Sequence, residues 1–401
     1  MHQYFNTPSM SGGTRSYEMA RRLVDMGHEV HMITSWRDES QNSDWFITNE
    51  NGITVHWFPT RYSNSFGDFQ RIFAFIKFLI AATRRCWSMS ADVVFATSTP
   101  LTIAVPGYLI SKRLSIPMVF EVRDLWPTLP IAIGSLNNTF LRWLAFKLER
   151  FAYSNSSQVV ALSDGMKNGI EATGYNPKQI HVIPNSCDLD LFNMTDDGEA
   201  SRHFRIKNNI PLEAKLIVYC GTFGRINGVD YLVHLANSLS DVADLYFLAI
   251  GEGAEFDNVL KLAERKGVLN KNLFLLPSIS KAEMPHVLSA ADIATSLFIP
   301  VKEMEANSAN KFFDALAAGL PVLLNYGGWQ AKLLIKNKAG MQLDRNIKVA
   351  SDQIRQLLFD SSKIARWGVN ARHLGESKFS RDDLALKLEK VLMEAINKYE
   401  C

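Results

Sequence analysis

The stretch EANSANKFFDALAAGLPVLL holds the densest set of residues that could bind an anion. Ser308 and Asn310 are good helix caps and Gly319 is a typical helix end, so the stretch predicts a short helix. The free amides at its start, together with the Asn310 and Lys311 side chains, would suit a phosphate. Asp314 lies one turn further on and could accept hydrogen bonds from two ribose hydroxyls. An ordinary capped helix is the alternative.

Two glycine turns in the second half could also receive a phosphate-bearing ligand. CGTFGRING follows an apolar run, and its Arg225 could hold a diphosphate at the end of a strand. GEG follows the next apolar run, where Gly253 could let the chain pass close to a nucleotide. An exposed loop arginine and a plain turn are the respective alternatives.

FEVRDLWPTLP places three charged residues at the end of an apolar run. Glu121, Arg123 and Asp124 could not remain unpaired inside a sheet, so they indicate either a site at the strand's carboxyl end or a structural ion pair. Asp188 and Asp190 imitate a D-x-D metal motif, but such triplets are common by chance. We therefore expect no metal site.

A glycine pair near the beginning, in SGGTRSYEMARRL, precedes a predicted helix. Gly12 and Gly13 could bring the backbone close to a phosphate at the helix start. The pair lacks the full G-x-G-x-x-G pattern and any Walker lysine, so a turn without a ligand is equally compatible.

The segment FQRIFAFIKFLIAATRR is a basic amphipathic helix on a helical wheel. One arc holds its cations, which are Arg71, Lys77, Arg84 and Arg85. The opposite arc holds the apolar residues Phe69, Ile72, Phe73, Ile76, Leu79 and Ile80. Two interpretations stay open: the apolar arc packs on a sheet and the basic arc is solvated, or the helix adsorbs to anionic lipid.

Short apolar runs alternate with amphipathic segments along the chain, which is typical of parallel βα units. The first half has HEVHMITS, GITVHWFPT, DVVFATST, PMVFEVRD, QVVALS and IHVIPN, and the second half has KLIVYCGT, DLYFLAIG, NLFLLPS, DIATSLF, PVLLNYG and AGMQLD. Such runs suit buried parallel sheets. The pattern predicts two doubly wound α/β domains at 1–185 and 211–380, a linker at 186–210 and a terminal helix within 381–401.

The run before the glycine pair, MHQYF, is short for the central strand of such a domain. We therefore expect translation to begin upstream, which an in-frame upstream sequence rich in apolar residues would support.

Composition excludes several classes of protein. Of 401 residues, 47% are hydrophobic, which indicates a folded chain, and the net charge of +2 gives no global attraction to nucleic acid. The four cysteines lie far apart, so neither a zinc ribbon nor a dithiol centre is spelled out. The beginning of the chain lacks a signal-peptide pattern, and the apolar runs are too short or too proline-rich to span a bilayer. We expect a cytoplasmic protein.

Taken in order, PSMSGGTRSYEMARRL, IPNSCDLDLF, CGTFGRINGVDYL and NKFFDALAAGLPVL resemble family 4 glycosyltransferases with the two-domain GT-B fold. The resemblance covers essentially the whole chain. ATSTPLTIAVPG, VRDLWP and NSANKFFD are most similar to bacterial sugar transferases of surface-polysaccharide assembly, including fucosamine-type enzymes.

The resemblance implies retaining transfer from a nucleotide diphosphate sugar, UDP-linked and with N-acetylated deoxy-amino sugars among the expected donors. The acceptor would be a lipid-linked saccharide of O-antigen, capsule or exopolysaccharide synthesis at the inner membrane's cytoplasmic face, with no metal or other cofactor. The donor would contact Gly13, Arg225, Gly253, Ser308, Asn310, Lys311 and Asp314. The acceptor would contact Gly12, Thr14 and Arg15, and the catalytic residues would be Arg123, Asp124 and Lys311. The last helix would cross back to the N-terminal domain.

The chain departs from the family pattern at three places. The family has two glutamates eight positions apart, but Ala306 and Asp314 occupy these positions here, with Glu305 and Asn307 as neighbouring substitutes. The usual phosphate-binding cations fall on Thr222 and Asn227, so Arg225 and Lys311 are expected to replace them. A histidine-aspartate pair reads Arg123-Asp124, which leaves Asp124 as the candidate to handle the acceptor proton.

Two other functions remain open from the sequence. One is a nucleotide-sugar 2-epimerase of the same fold, and the other is a nucleotide-sugar binding protein without catalysis. Product analysis without acceptor would identify the first, and binding without turnover would identify the second.

Overall fold

The computed structural model describes residues 1–10, 12–37, 44–60, 68–193 and 198–400. The strands of the N-terminal half are β1 (His31–Trp36), β2 (Phe46–Glu50), β3 (Ile53–Pro59), β4 (Val94–Thr97), β5 (Met118–Val122), β6 (Gln158–Ala161) and β7 (Ile180–Val182). Its helices are α1 (Arg15–Asp25), α2 (Asp68–Cys86), α3 (Ala104–Leu114), α4 (Thr128–Ala132), α5 (Thr139–Ser154) and α6 (Asp164–Glu171). Each of the six predicted runs contains a strand.

The N-terminal strands form two parallel groups. β1 pairs with β3 in one group, and β4, β5, β6 and β7 pair in that order in the other. β2, which the sequence analysis did not predict, lies antiparallel to β3 at the edge. Buried Phe120 and Val159 belong to the core between the larger group and its helices.

Residues 1–5 lie between these two groups. The His2 amide donates to Ile33 O (3.1 Å) and the Ser35 amide donates to Gln3 O (3.2 Å), while the Thr97 amide donates to Met1 O (2.9 Å). The short run MHQYF thus occupies the position of a central strand through hydrogen bonds to β1 on one side and β4 on the other.

The C-terminal half has one six-stranded parallel sheet in the order β10-β9-β8-β11-β12-β13. The strands are β8 (Lys215–Cys220), β9 (Leu245–Ile250), β10 (Leu273–Leu276), β11 (Ile293–Ser296), β12 (Val322–Leu324) and β13 (Gly340–Gln342). The helices are α7 (Glu199–Lys207), α8 (Asp230–Ser238), α9 (Phe256–Lys266), α10 (Met284–Ser289), α11 (Asn310–Ala317), α12 (Trp329–Asn337), α13 (Ile347–Leu358), α14 (Ser361–Phe379) and α15 (Arg381–Glu400). The strand order reverses between β8 and β11, and in open α/β sheets ligands bind at such a switch point.

The predicted linker, 186–210, is too long because it includes α7. This helix packs against α10, and buried Arg205 donates to the carbonyl of Ala290 and to the Asp292 carboxylate. Arg205 also satisfies carbonyls in the loop that leads to β8. α7 is therefore part of the C-terminal domain.

The last helix, α15, packs on the N-terminal domain. Leu384, Leu388 and Val391 share a buried cluster with Met19 of α1 and Val119 of β5. Buried Arg381, at the start of α15, forms ion pairs with Asp188 (2.7 Å) and Glu18 (3.4 Å), which fasten the helix at the junction of the two domains.

The apolar arc of α2 does not pack on a sheet, so that one of the two predicted arrangements is wrong. Small residues let this helix approach its neighbours closely, so the buried side is formed by Ala74, Phe78, Ala81, Ala82 and Cys86. The apolar arc predicted to be covered is exposed at Ile72, Phe73, Ile76 and Ile80. Lys77 and Arg84 are exposed as well.

Arg85 does not belong to the exposed basic surface of α2. Its guanidinium donates to His56 Nδ1 (3.1 Å from Nε) and lies over the Trp45 ring. Burial, and then the neighbouring Arg85 guanidinium, lower the pKa of His56 to about 4. Arg85 is thereby removed from the predicted lipid-binding set, and the side chain of Arg71 lies outside the described part of the chain.

Candidate functional site

The glycine pair, α11 and the end of β5 converge where the two domains meet. A Cβ atom on Gly13 would lie 2.6 Å from Asn310 Nδ2 and 3.6 Å from Arg123 Nη2. Gly12 has a φ of +118°, and a Cβ atom there would lie 2.7 Å from Asn6 Nδ2. Side chains at either position would therefore collide with polar groups at the interdomain boundary.

The sequence analysis predicted Ser308 as a helix cap, but Ser308 instead links the two domains. Its hydroxyl accepts a hydrogen bond from the Asn185 amide (3.1 Å), and its carbonyl accepts one from the Asn185 side chain. α11 begins at Asn310 with Ala309 as its N-cap, where no side chain caps the helix. The Asn185 Oδ1 atom is buried and has no hydrogen-bond partner in the part of the chain that the structure describes.

Lys311 is enclosed beside the glycine turn after β8. Its Nζ donates to Tyr219 Oη (3.1 Å) and lies 5.0 Å from the Phe298 ring centre. Asn227, with its amide oriented to satisfy both ends, accepts from Lys311 Nζ (2.9 Å) and donates to Thr222 O (3.1 Å). Among the described residues no carboxylate forms an ion pair with Lys311, and burial lowers its pKa to about 7. This position suits an incoming anion that would restore the ammonium charge.

The Asp314 carboxylate forms an ion pair with Lys281. Its Oδ1 accepts a hydrogen bond from Lys281 Nζ, and Lys281 lies 5.2 Å from the Phe192 ring centre. A ribose would meet the Asp314 and Lys281 side chains together, so ribose binding by Asp314 remains a prediction.

Close packing of the neighbouring backbone requires a glycine at position 253. Its φ is +147°, and a Cβ atom would lie 2.5 Å from Phe223 O, because the 251–255 loop packs on the glycine turn. The Phe223 amide donates to Glu252 O (2.8 Å) and the Glu255 amide donates to Phe223 O (2.9 Å). This close backbone packing explains the glycine without a nucleotide. Arg225, in the same turn, is exposed, and its role at a diphosphate stays a prediction.

Asp124 lines a small cavity between the domains. The other lining residues are Leu125, Leu129, Met166, Glu303, Met304, Ala306 and Asn307. Burial raises the pKa of Asp124 to about 6, although the adjacent Arg123 guanidinium opposes this rise. A carboxyl group with this pKa can exchange a proton near neutral pH.

Glu303 is the acid that the sequence analysis missed at this cavity. Glu305, one of the expected substitutes, lies against Gly327 and Gly328 and does not line the cavity, whereas Asn307 does. Ala306 accepts a hydrogen bond from Ser163 Oγ through its carbonyl. The 3-10 turn of Lys302–Ala306 therefore presents Glu303 to the cavity, a rotation that sequence spacing could not reveal.

Arg15 is a structural residue, so its predicted contact with an acceptor is wrong. Its Nε donates to Glu121 Oε1 (2.9 Å), and its terminal nitrogens donate to the carbonyls of Pro184 and Ile183. Both members of this ion pair are almost fully buried. Thr14 is also buried, and its side chain makes no capping bond to α1.

His2 is a second residue that the sequence analysis missed. It is 3% exposed, and its Nε2 lies 3.2 Å from Arg123 Nη1. The hydrogen bonds of residues 1–5 to β1 and β4 carry His2 to the end of β5, which holds Arg123. A histidine this close to the beginning of a short run gave no periodic signal.

The described residues hold no group of three or more metal-ligating side chains, and none of their helices is long and apolar enough to cross a bilayer.

Two family models match consecutive parts of the chain. The Glycosyl transferase 4-like domain matches residues 12–186, and the Glycosyl transferases group 1 model matches residues 201–374. Together they cover both domains.

Curated relatives and solved structures agree with these matches. WcaI of Escherichia coli, a glycosyl transferase assigned to colanic acid biosynthesis, is 24% identical over 71% of this chain and 73% of its own length. The N-acetyl-alpha-D-glucosaminyl L-malate synthase of Bacillus anthracis is 21% identical over 97% of this chain and 95% of its own. The structure of WaaG, a glycosyltransferase involved in lipopolysaccharide biosynthesis, has a TM-score of 0.72 at 17% identity and covers 98% of this chain and 97% of its own. Anabaena HepE in complex with UDP has a TM-score of 0.69 at 15% identity, with 98% of each chain covered.

Proposed function

The chain belongs to the group 1 glycosyltransferases of the GT-B fold, and we propose that it transfers a sugar, with retention, from a UDP-linked donor to a lipid-linked saccharide of surface-polysaccharide synthesis. The observation that carries this proposal is the enclosed Lys311 ammonium at the switch point of the C-terminal sheet, opposite the Gly13 loop. The UDP complex of HepE supports the donor, and the polysaccharide roles of WaaG and WcaI support the pathway class.

Lys311 would stabilise the departing diphosphate. Negative charge grows on the leaving group as the sugar bond breaks, and a preorganised cation in an enclosed site stabilises that charge more than it stabilises the ground state. Tyr219 and Asn227 hold the ammonium in place through hydrogen bonds. Because a lysine can supply this positive charge, we propose that the reaction needs no metal or other cofactor.

Asp124 would receive the proton of the attacking acceptor hydroxyl. It lines the interdomain cavity, and its pKa of about 6 leaves it largely ionised at pH 7 while keeping it basic enough to share a proton. Arg123 lies beside it and keeps the ionised form accessible.

The donor is tested by thermal-shift titration of UDP, GDP, TDP and CMP on the wild type and on Lys311→Met. We expect a shift with UDP that the variant loses. Lys336→Met removes an exposed lysine of α12 and is the matched control, with an unchanged shift. A UDP shift of equal size in wild type and Lys311→Met would refute the assigned site.

Turnover is tested by incubating labelled UDP-sugars with the organism's own membrane lipids and following label into the lipid fraction. Asp124→Asn should lower kcat by about 10²- to 10⁴-fold if the carboxylate takes the proton. Proton NMR of the product reports whether the anomeric configuration is retained. An altered sugar released without acceptor would instead indicate an epimerase.

An exposed surface of the N-terminal domain supports the membrane part of the proposal. α3 packs against both α2 and α5, and the three helices expose large apolar side chains. This apolar-basic face includes Ile72, Phe73, Ile76, Ile80, Leu109, Phe140, Trp143 and Leu144. Soluble proteins seldom expose so many large apolar side chains on neighbouring helices without a binding role.

The charges on this face favour an anionic bilayer as its occupant. Its exposed cations are Lys77, Arg84, Lys112, Arg113 and Lys147. Among the side chains described on the three helices, the one carboxylate is Glu149, which is buried. Lys147 lies over the Trp143 ring (5.8 Å), a pairing suited to the boundary between acyl chains and headgroups.

Flotation with vesicles of phosphatidylglycerol and phosphatidylethanolamine tests this surface. We expect Phe73→Ser and Trp143→Ser each to reduce the bound fraction, and Lys77→Glu with Arg84→Glu to make the remaining binding weaker and salt-sensitive. Phe359→Ser is the matched control, because Phe359 is 90% exposed but lies on the C-terminal domain. Equal flotation of all variants would contradict the membrane role.

A further inference from the structure

Three donor side chains gather around the glycine pair of the N-terminal domain. Arg37 follows β1 and Arg123 follows β5, so both stand at the carboxyl ends of strands, and His2 in the central run contacts Arg123. Arg123 Nη1 lies 3.2 Å from His2 Nε2, and its Nη2 faces Gly13. We call this set the N-domain donor cluster.

Arg37 is tied to the same loop. Its Nη2 donates to Asn6 Oδ1, and Asn6 Nδ2 in turn contacts the Gly13 carbonyl (3.4 Å). The Arg37 guanidinium also lies 5.9 Å from the centre of the Tyr4 ring. Both arginines are therefore held near one segment of backbone.

Hydrogen-bond accounting at His2 leaves one donor without a partner. Arg123 can only donate, so the lone pair of His2 must lie on Nε2 and the proton on Nδ1. His2 Nδ1 is buried and has no hydrogen-bond partner among the described residues. Burial and the neighbouring Arg123 and Arg37 guanidiniums hold the pKa of His2 well below its ordinary value, which agrees with a neutral ring.

The charges around Arg37 and Arg123 also favour a bound anion. Glu121, which lies close to Arg123, is engaged by Arg15, so Asp124, largely ionised at pH 7, is the carboxylate left beside the two guanidiniums among the described residues. Two half-buried guanidinium groups beside one such carboxylate leave a net positive charge, which is costly to remove from water. An oxyanion bound between them would supply both the missing charge and an acceptor for His2 Nδ1.

We propose that the N-domain donor cluster binds an oxyanion carried by the acceptor, a phosphate ester or a carboxylate close to the hydroxyl that is glycosylated. The inference rests on the proposed function for the identity of this molecule as the acceptor. Lys311 serves the donor diphosphate from the opposite domain, so the two anions have separate cations. The planar guanidiniums of Arg37 and Arg123 match the paired oxygens of either group.

Calorimetric titrations of inorganic phosphate and of malonate, with the full chain, distinguish the two sources of the oxyanion. Arg37→Gln should weaken the tighter-binding probe by about ten- to hundredfold, the range for hydrogen bonds to a charged group. Arg265→Gln removes an exposed arginine of α9 and should leave the probe's affinity unchanged. The probe that binds more tightly identifies the chemical class.

UDP titrations separate this inference from the proposed function. Arg37→Gln should bind the oxyanion probe about ten- to hundredfold more weakly and bind UDP as the wild type does. Lys311→Met should no longer bind UDP but should bind the probe with wild-type affinity. If UDP fails to bind the wild type while the probe pattern holds, the donor assignment fails and the oxyanion site stands.

His2→Phe keeps a ring of similar size and removes the Nδ1 donor, so it provides a second variant if Arg37→Gln does not fold. It should also weaken the probe. Wild-type protein that binds neither phosphate nor malonate, or folded Arg37→Gln and His2→Phe variants that bind the probe as the wild type does, would overturn the site.

Discussion

Replacing Lys311 by methionine should make the ligand-free protein more stable while abolishing nucleotide binding. The ammonium is enclosed by Tyr219, Phe298 and Asn227 and has no carboxylate partner among the described residues. Burial lowers its pKa from an ordinary value of 10.5 to about 7. At ~1.4 kcal/mol for each pH unit, this difference corresponds to a cost of several kcal/mol to the folded state at neutral pH.

The pH dependence of this cost has a definite sign. At pH 7 and below, Lys311 is charged in the unfolded chain and its burial penalty is fully present. Between pH 7 and pH 10.5 the folded protein has lost the proton that the unfolded chain still holds, so wild-type stability rises with pH. The advantage of Lys311→Met should therefore be largest at pH 6 to 7 and should shrink towards pH 10.

Thermal unfolding with and without UDP, from pH 6 to pH 10, measures both effects. For domains of this size we expect the variant to gain ~2 to 4 °C in Tm per kcal/mol relieved at neutral pH. Lys336→Met, on exposed α12, should change neither Tm nor the UDP shift. A Lys311→Met protein that is less stable than wild type at pH 6, or that keeps the UDP shift, would refute the reasoning.

Three further predictions follow from the same structure. Since the Lys311 ammonium loses its proton above pH 7, UDP affinity measured by calorimetry should fall by up to about tenfold per pH unit between pH 7.5 and pH 9, and this slope should vanish in Lys311→Arg. Arg381→Ala removes the ion-pair partner of Asp188, whereas Glu18 keeps its pairs with Arg22 and Arg21, and should lower the free energy of unfolding by ~3 to 5 kcal/mol in chemical denaturation, with a smaller loss in Arg381→Lys. Gly251→Ala places a Cβ atom 1.9 Å from Gly221 O and should destabilise far more than Gly134→Ala, where φ is +71° but space is open, so equal Tm losses would contradict the packing argument.

The fold could be predicted from the sequence where a local pattern was sufficient. Twelve apolar runs mark twelve of the strands, because strands of a buried parallel sheet are apolar on both faces. β2 was missed because it is an antiparallel edge strand whose residues alternate between partly buried and exposed. α7 was assigned to the linker because its attachment depends on Arg205 binding carbonyls distant in sequence.

Predictions about individual side chains succeeded less often, because they depended on tertiary contacts. α2 has apolar residues around most of its circumference, so its wheel could not show that the side with Phe78 and small residues is the one buried. Ser308 has the right type for a helix cap, but Asn185 from the other domain uses its hydroxyl. Lys311 could be singled out from its place at a helix start, and its role at a diphosphate stays a prediction, whereas His2 had no local signal.

The positions of the cations suggest how two anionic substrates could bind at one interdomain boundary. Lys311 lies in the C-terminal domain, the N-domain donor cluster lies in the other, and the contact between Gly13 and Asn310 separates them. Two anions brought together at one boundary repel each other unless each is neutralised by nearby cations. Each proposed anion would have cations in its own domain, so donor and acceptor could bind side by side without strong mutual repulsion.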